Sequence, residues 1–111
     1  MKLPNQDKAI IEIEKVRDYC LNKDHPVGKH KAFIFESKLG ITSNDYIEFR
    51  EILFDAIKNN EAKESFSDKY GKRFSVDFSL RRSDFSASVR SLWIVRSNED
   101  FPRFTSCYIK N

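Results

Sequence analysis

Glycine, proline and cysteine are scarce: 111 residues hold three, three and two of them. Three glycines cannot build a glycine-rich phosphate loop, and so few turn residues leave little room for long irregular connections. Cys20 and Cys107 stand 87 positions apart, and a disulfide framework in so short a chain needs more cysteines. Both read as small apolar core residues in a reducing compartment. No apolar run approaches the roughly 18 residues of a membrane span. The opening MKLPNQDKAII turns polar at once, so no secretory leader is expected. The expectation is a soluble, cytoplasmic protein with no membrane partner. CxxC, HExxH, an EF-hand loop and a G-x-S-x-G elbow are missing too. His25 and His30, five apart, would diverge on a helix. No metal and no cofactor are expected.

What is present is ordinary for a globular domain: 40% hydrophobic and 33% charged residues, with ten phenylalanines as bulky core filling. The length predicts a single domain over 1–111. Net charge is +3, but it is unevenly spread. Residues 1–60 carry ten basic and ten acidic side chains, and residues 61–111 carry ten and seven. Two arginines lie in the first part and six in the second. Arginine is the better bidentate phosphate ligand.

The apolar period divides the chain near Asn60. IEIEKVRDYCLN places Ile13, Val16, Tyr19 and Cys20 on one helical stripe. HKAFIFESKL predicts a second helix ending at Gly40, a good residue for a helix C-terminus. In the third helix, Thr42 and Asp45 resemble a capping box, and Tyr46, Phe49, Leu53, Ala56 and Ile57 form the buried face. After Asn60 the period becomes two: Phe74, Val76, Phe78 and Leu80 point inward, with Arg73, Ser75, Asp77, Ser79 and Arg81 outward. EAKESF, ASVRSLWIVR and RFTSCYI complete four strands. The prediction is an α+β fold: about three N-terminal helices (1–60 mainly helical) on one face of a four-stranded antiparallel sheet (61–111). Phe35, Phe49, Leu53, Ile57, Phe74, Val76, Phe78 and Trp93 are the predicted core, and Tyr70 reads as a hairpin plug.

Two stretches invite a functional reading. In DHPVGKHKAF, His25 precedes Pro26, which biases it away from helix. Lys29 and Lys31 follow at a helix start, where backbone N–H groups favour anions. The stretch is either an anion site or a solvated turn punctuated by proline. The sheet adds Arg73, Arg81 and Arg90, then Arg103 with Thr105 or Ser106, which form either a phosphate-lined groove or the wet face of a one-sided sheet.

The blocks LPNQDKAII, HPVGKHKAFIFESKLG, KYGKRF and LWIVRSNEDFPRFTSCY together resemble an uncharacterised bacterial family of small domains. Its pattern is LPN, then HPxGxxKAxxF, YGxxY/F, WIxxxxEDxPR and a closing S/T-x-Y. The matching positions are His25, Pro26, Gly28, Lys31, Ala32, Tyr70, Gly71, Trp93, Pro102, Arg103, Ser106 and Tyr108. Two departures stand out: RRSDFSAS replaces a turn that usually contains glycine and proline, and Ser106 stands where threonine is usual. That family in turn resembles the barnase–EndoU–colicin–RelE class of metal-independent ribonuclease folds, found in toxins.

The resemblance implies a toxin-type endoribonuclease that cuts RNA by 2′-OH attack, with a cognate antitoxin or immunity protein as partner. His25 would exchange protons, Lys31 and Arg103 would stabilise the phosphorane, and Ser106 would bond a non-bridging oxygen. Lys29, Arg73, Arg81, Arg90 and Thr105 would hold the RNA. His25→Ala is expected to leave the melting temperature nearly unchanged. The alternatives are a non-catalytic nucleic-acid binding domain and a protein-interaction domain covered by its partner.

Overall fold

The computed structural model describes residues 1–110. Ile13–Lys15 (α1) runs into a wider π-type turn at Val16–Cys20, and Lys29–Leu39 (α2) and Tyr46–Asn59 (α3) follow. Four strands come next: Ala62–Asp68 (β1), Gly71–Arg82 (β2), Phe85–Arg96 (β3) and Pro102–Ile109 (β4). They pair as an antiparallel meander in the order β1-β2-β3-β4. The helices precede the sheet and pack against it, as the change of period predicts.

Local chemistry accounts for the boundaries. The N–H of Gly40 bonds the Glu36 carbonyl and that of Ile41 bonds the Phe35 carbonyl, closing α2. Gly40 sits there at φ 65°, a left-handed conformation that suits a residue without a Cβ. Thr42 and Asp45 form a reciprocal capping box, with the Thr42 N–H donating to the Asp45 carboxylate at 2.9 Å.

Every predicted core residue is buried. Phe35 of α2 meets Phe49 of α3 edge-to-face at 5.2 Å. Trp93 meets Phe104 at 5.4 Å and donates its indole N–H to the hydroxyl of Ser91, which in turn donates to the Val76 carbonyl. The fully buried Ser91 is thereby satisfied.

Two expectations fail. Ile13 is 37% exposed and lies off the stripe of Val16, Tyr19 and Cys20, because α1 gives way to a wider turn that breaks the 3.6-residue period. Tyr70 plugs nothing: it is 62% exposed at the β1–β2 turn, with the Lys69 ammonium 5.2 Å from its ring centre.

Two irregularities shape the sheet. β1 bulges between Glu64 and Ser67. Opposite Leu92 and Trp93, β4 carries one extra residue: Leu92 faces Ser106 and Trp93 faces Phe104, which leaves Thr105 outside the ladder. The Thr105 hydroxyl donates to the Leu92 carbonyl at 3.0 Å and ties the bulge down. Ile10 bridges to Arg103 and so covers the start of β4. Among the described residues no helix is long and apolar enough to cross a membrane.

Candidate functional site

The turn leading into α2 is wired from within. The Asn22 side chain accepts the Asp24 N–H at 2.9 Å, and the His25 carbonyl accepts the Lys29 N–H at 3.1 Å. The His25 ring caps the turn from inside: Nδ1 accepts the N–H groups of Val27 and Gly28, both at 3.0 Å. Accepting at Nδ1 puts the proton of the neutral ring on Nε2. The sequence-based expectation that His25 is dispensable for folding therefore needs correction, because removing the ring strands two amides.

Tyr19, which the sequence suggests only as part of an apolar stripe, is the hub of the site. His25 meets it edge-on at 4.9 Å and 84°. The Lys31 ammonium lies 5.8 Å from the Tyr19 ring centre and 5.7 Å from that of Tyr108. Gly28 allows this packing, since a Cβ there would collide with the Tyr19 carbonyl oxygen. Tyr19 also lines a groove of about 440 Å³ with Ser106, Thr105, Glu12, Glu14 and Lys15. The Ser106 hydroxyl lies 3.9 Å from the thiol of Cys20. His25, Lys31 and Ser106, 81 positions apart at the extremes, are thus gathered around one tyrosine at the β4 edge. Lys31 has no carboxylate partner among the described residues.

The arginines behave differently. Arg103 grips Glu99 through two bonds of 2.9 Å and lies 3.8 Å from Glu12, on the acidic side of the groove. Arg90 holds Asp77 at 2.7 and 2.8 Å and faces Tyr108 across the β3–β4 pair. The bonds from Arg90, reinforced by Lys110 at 3.0 Å, pull the Asp77 carboxyl down to about 2. Arg73 pairs with Asp68 at 2.9 Å. Arg81 and Lys29 are exposed. Three of the four arginines named from the sequence are therefore matched by carboxylates, and among the described residues the cations at the site without one are Lys31 and the groove-lining Lys15.

Cys20 and Cys107 are both buried and free. Burial pushes the Cys107 thiol well above its ordinary value. Among the described residues no group of three or more His, Cys, Asp or Glu could hold a metal ion. Tyr19 and Tyr108 are the site members that sequence reasoning gave no role; the closing S/T-x-Y pattern was the available signal for the second.

The fold has a solved neighbour. A chain of a contact-dependent growth inhibition toxin–immunity protein complex from Klebsiella pneumoniae 342 superposes with a TM-score of 0.69 at 16% identity, covering 91% of this chain and 99% of that one. No curated protein matches the sequence. The family DUF6883, described as a domain of unknown function, matches residues 2–111, and the chain belongs to that family.

Proposed function

We propose that this domain is a metal-independent endoribonuclease of toxin type. The observation that carries the reading is the convergence of His25, Lys31 and Ser106 on Tyr19, beside an open groove. The RNA supplies its own nucleophile. As the 2′-oxygen bonds phosphorus and the bond to the 5′-oxygen breaks, one proton must leave the 2′-OH and one must reach the 5′-oxygen.

At rest, His25 offers Nε2–H to a phosphate oxygen. Released from the Val27 and Gly28 amides, the ring takes the 2′-OH proton and returns it to the departing 5′-oxygen. The Lys31 ammonium and the Ser106 hydroxyl meet the charge that builds on the non-bridging oxygens. Arg103, held by Glu99 and Glu12, braces β4 beside the groove.

Fold likeness to a chain of a toxin–immunity complex supports a toxin role and a cognate immunity protein as partner. Incubating single-stranded RNA with the protein in EDTA tests the reading. Cleavage that EDTA leaves intact and that Lys31→Gln suppresses supports it; binding without cleavage would favour a non-catalytic nucleic-acid domain.

One observation favours a second reading, a protein-interaction domain. Phe33 and Ile34 of α2 and Val27 of the turn before it are exposed, among Lys29, His30 and Lys38. An apolar strip framed by cations suits an acidic protein. Loss of such a partner in Phe33→Asp, with no ribonuclease activity in the wild type, would favour that reading.

A further inference from the structure

The face of the sheet turned away from the helices is not flat. All four strands contribute to one trough of about 280 Å³, lined by Ser65, Phe66, Arg73, Leu92 and Thr105 together with the buried Phe74 and Trp93. That volume lies just under the roughly 300–1,000 Å³ of ordinary small-molecule pockets, which suits a single planar heterocycle.

Phe66 is the unusual member. It sits in the β1 bulge, on an edge strand, and is 57% exposed. Nothing in the core needs it there. The Arg73 guanidinium stands 4.7 Å from its ring centre and is anchored from the other side by Asp68. A phenyl ring and a planar cation held together form a stacking surface, which every nucleobase can use. Thr105 joins this trough to the candidate site: it lines both the trough and the groove that holds Ser106 and Tyr19. The β4 bulge places it there.

We propose that the trough binds the nucleobase adjoining the scissile phosphate, stacked on the Phe66–Arg73 pair, which makes Phe66 a specificity-determining residue. The proposal rests on the ribonuclease reading for its substrate. Trp93 is 1% exposed and packed on Phe104, so occupancy of the trough is read by calorimetry.

Two measurements on the whole domain test this. The four nucleoside 3′-monophosphates are titrated by calorimetry, and RNA cleavage is compared between wild type, Phe66→Ala and Phe66→Tyr. Stacking is worth about 1–3 kcal/mol per base, so Phe66→Ala should raise KM and the mononucleotide Kd roughly 5- to 150-fold. It should also flatten the preference among bases without moving the melting temperature, and Phe66→Tyr should restore all three. Cleavage by Phe66→Ala with unchanged KM and base preference overturns the trough while the ribonuclease reading stands. Mononucleotide binding that depends on Phe66, in a wild type that cleaves nothing, keeps the trough and removes the ribonuclease reading. Absence of any saturable heat of binding with all four mononucleotides, at temperatures on either side of about 25 °C, overturns the trough.

Discussion

The backbone N–H of Gly28 donates to Nδ1 of His25 at 3.0 Å. The ring thus does for the α2 entry turn what a serine or aspartate side chain does at a helix start. In the proposed mechanism, proton exchange at His25 would draw on the same nitrogen that orders the turn.

A comparison of two substitutions separates these jobs. His25→Ala leaves the Val27 and Gly28 amides without their acceptor and should cost about 0.5–2 kcal/mol, the usual range for a lost cap. His25→Asn supplies an oxygen acceptor and should recover most of that loss. Urea unfolding of the three proteins decides the point. Equal midpoints for wild type and His25→Ala would mean the cap contributes nothing.

Gly28 is needed for a different reason. Its Cα presses on the Tyr19 backbone, and a Cβ would overlap the Tyr19 carbonyl oxygen. Gly28→Ala should destabilise the fold by about 1–3 kcal/mol, as overpacking does. A thermal melt within experimental error of wild type would show that the turn yields freely.

How much of this was legible in the sequence depends on the range of the interaction. The Thr42–Asp45 box, the Gly40 helix end and the inward row Phe74, Val76, Phe78, Leu80 are local patterns, and the structure shows them as expected. The π-type turn at Val16–Cys20 has no composition signal, so the displacement of Ile13 could not be seen. The pairing of Arg90 with Asp77 depends on strand register, which places them directly opposite each other. Contacts of Cys20 with Ser106, and of Lys31 with Tyr108, depend on how α2 and its preceding turn meet β4. Strand register and helix–sheet docking are non-local, so the arginines' carboxylate partners could not be read in advance.

Asp77 gives a pH signature. Bonds from Arg90 and Lys110 hold its folded-state value at about 2, below the ordinary 3.8. A depressed carboxylate adds stability above the ordinary value, and that stability is lost as pH falls through the folded one. Asp77→Asn should therefore be less stable than wild type at pH 7, with the gap narrowing below about pH 4 and closing near pH 2. A gap independent of pH would show that packing, not charge, sets the difference.

Salt dependence separates the cations. Lys31 lacks a carboxylate partner among the described residues, so Lys31→Gln should reduce the slope of log K for RNA against log salt by about one. Arg103 is already neutralised by Glu99 and Glu12. Arg103→Gln should lower the melting temperature and leave the slope nearly unchanged. Equal slope changes in the two variants would place Arg103 on the phosphate.

The ribonuclease reading stands or falls on the nucleophile. An RNA oligomer cut by the protein is compared with the same oligomer carrying one 2′-deoxyribose at the cut position, using wild type and His25→Asn in EDTA, with the product ends identified by mass. The account predicts a 2′,3′-cyclic phosphate and a 5′-hydroxyl from the RNA and no cut at the deoxy position. It also predicts a rate about 10²- to 10⁴-fold lower for His25→Asn, the usual contribution of a general acid–base group. Cleavage at the deoxy position, or an undiminished rate in His25→Asn, would contradict it.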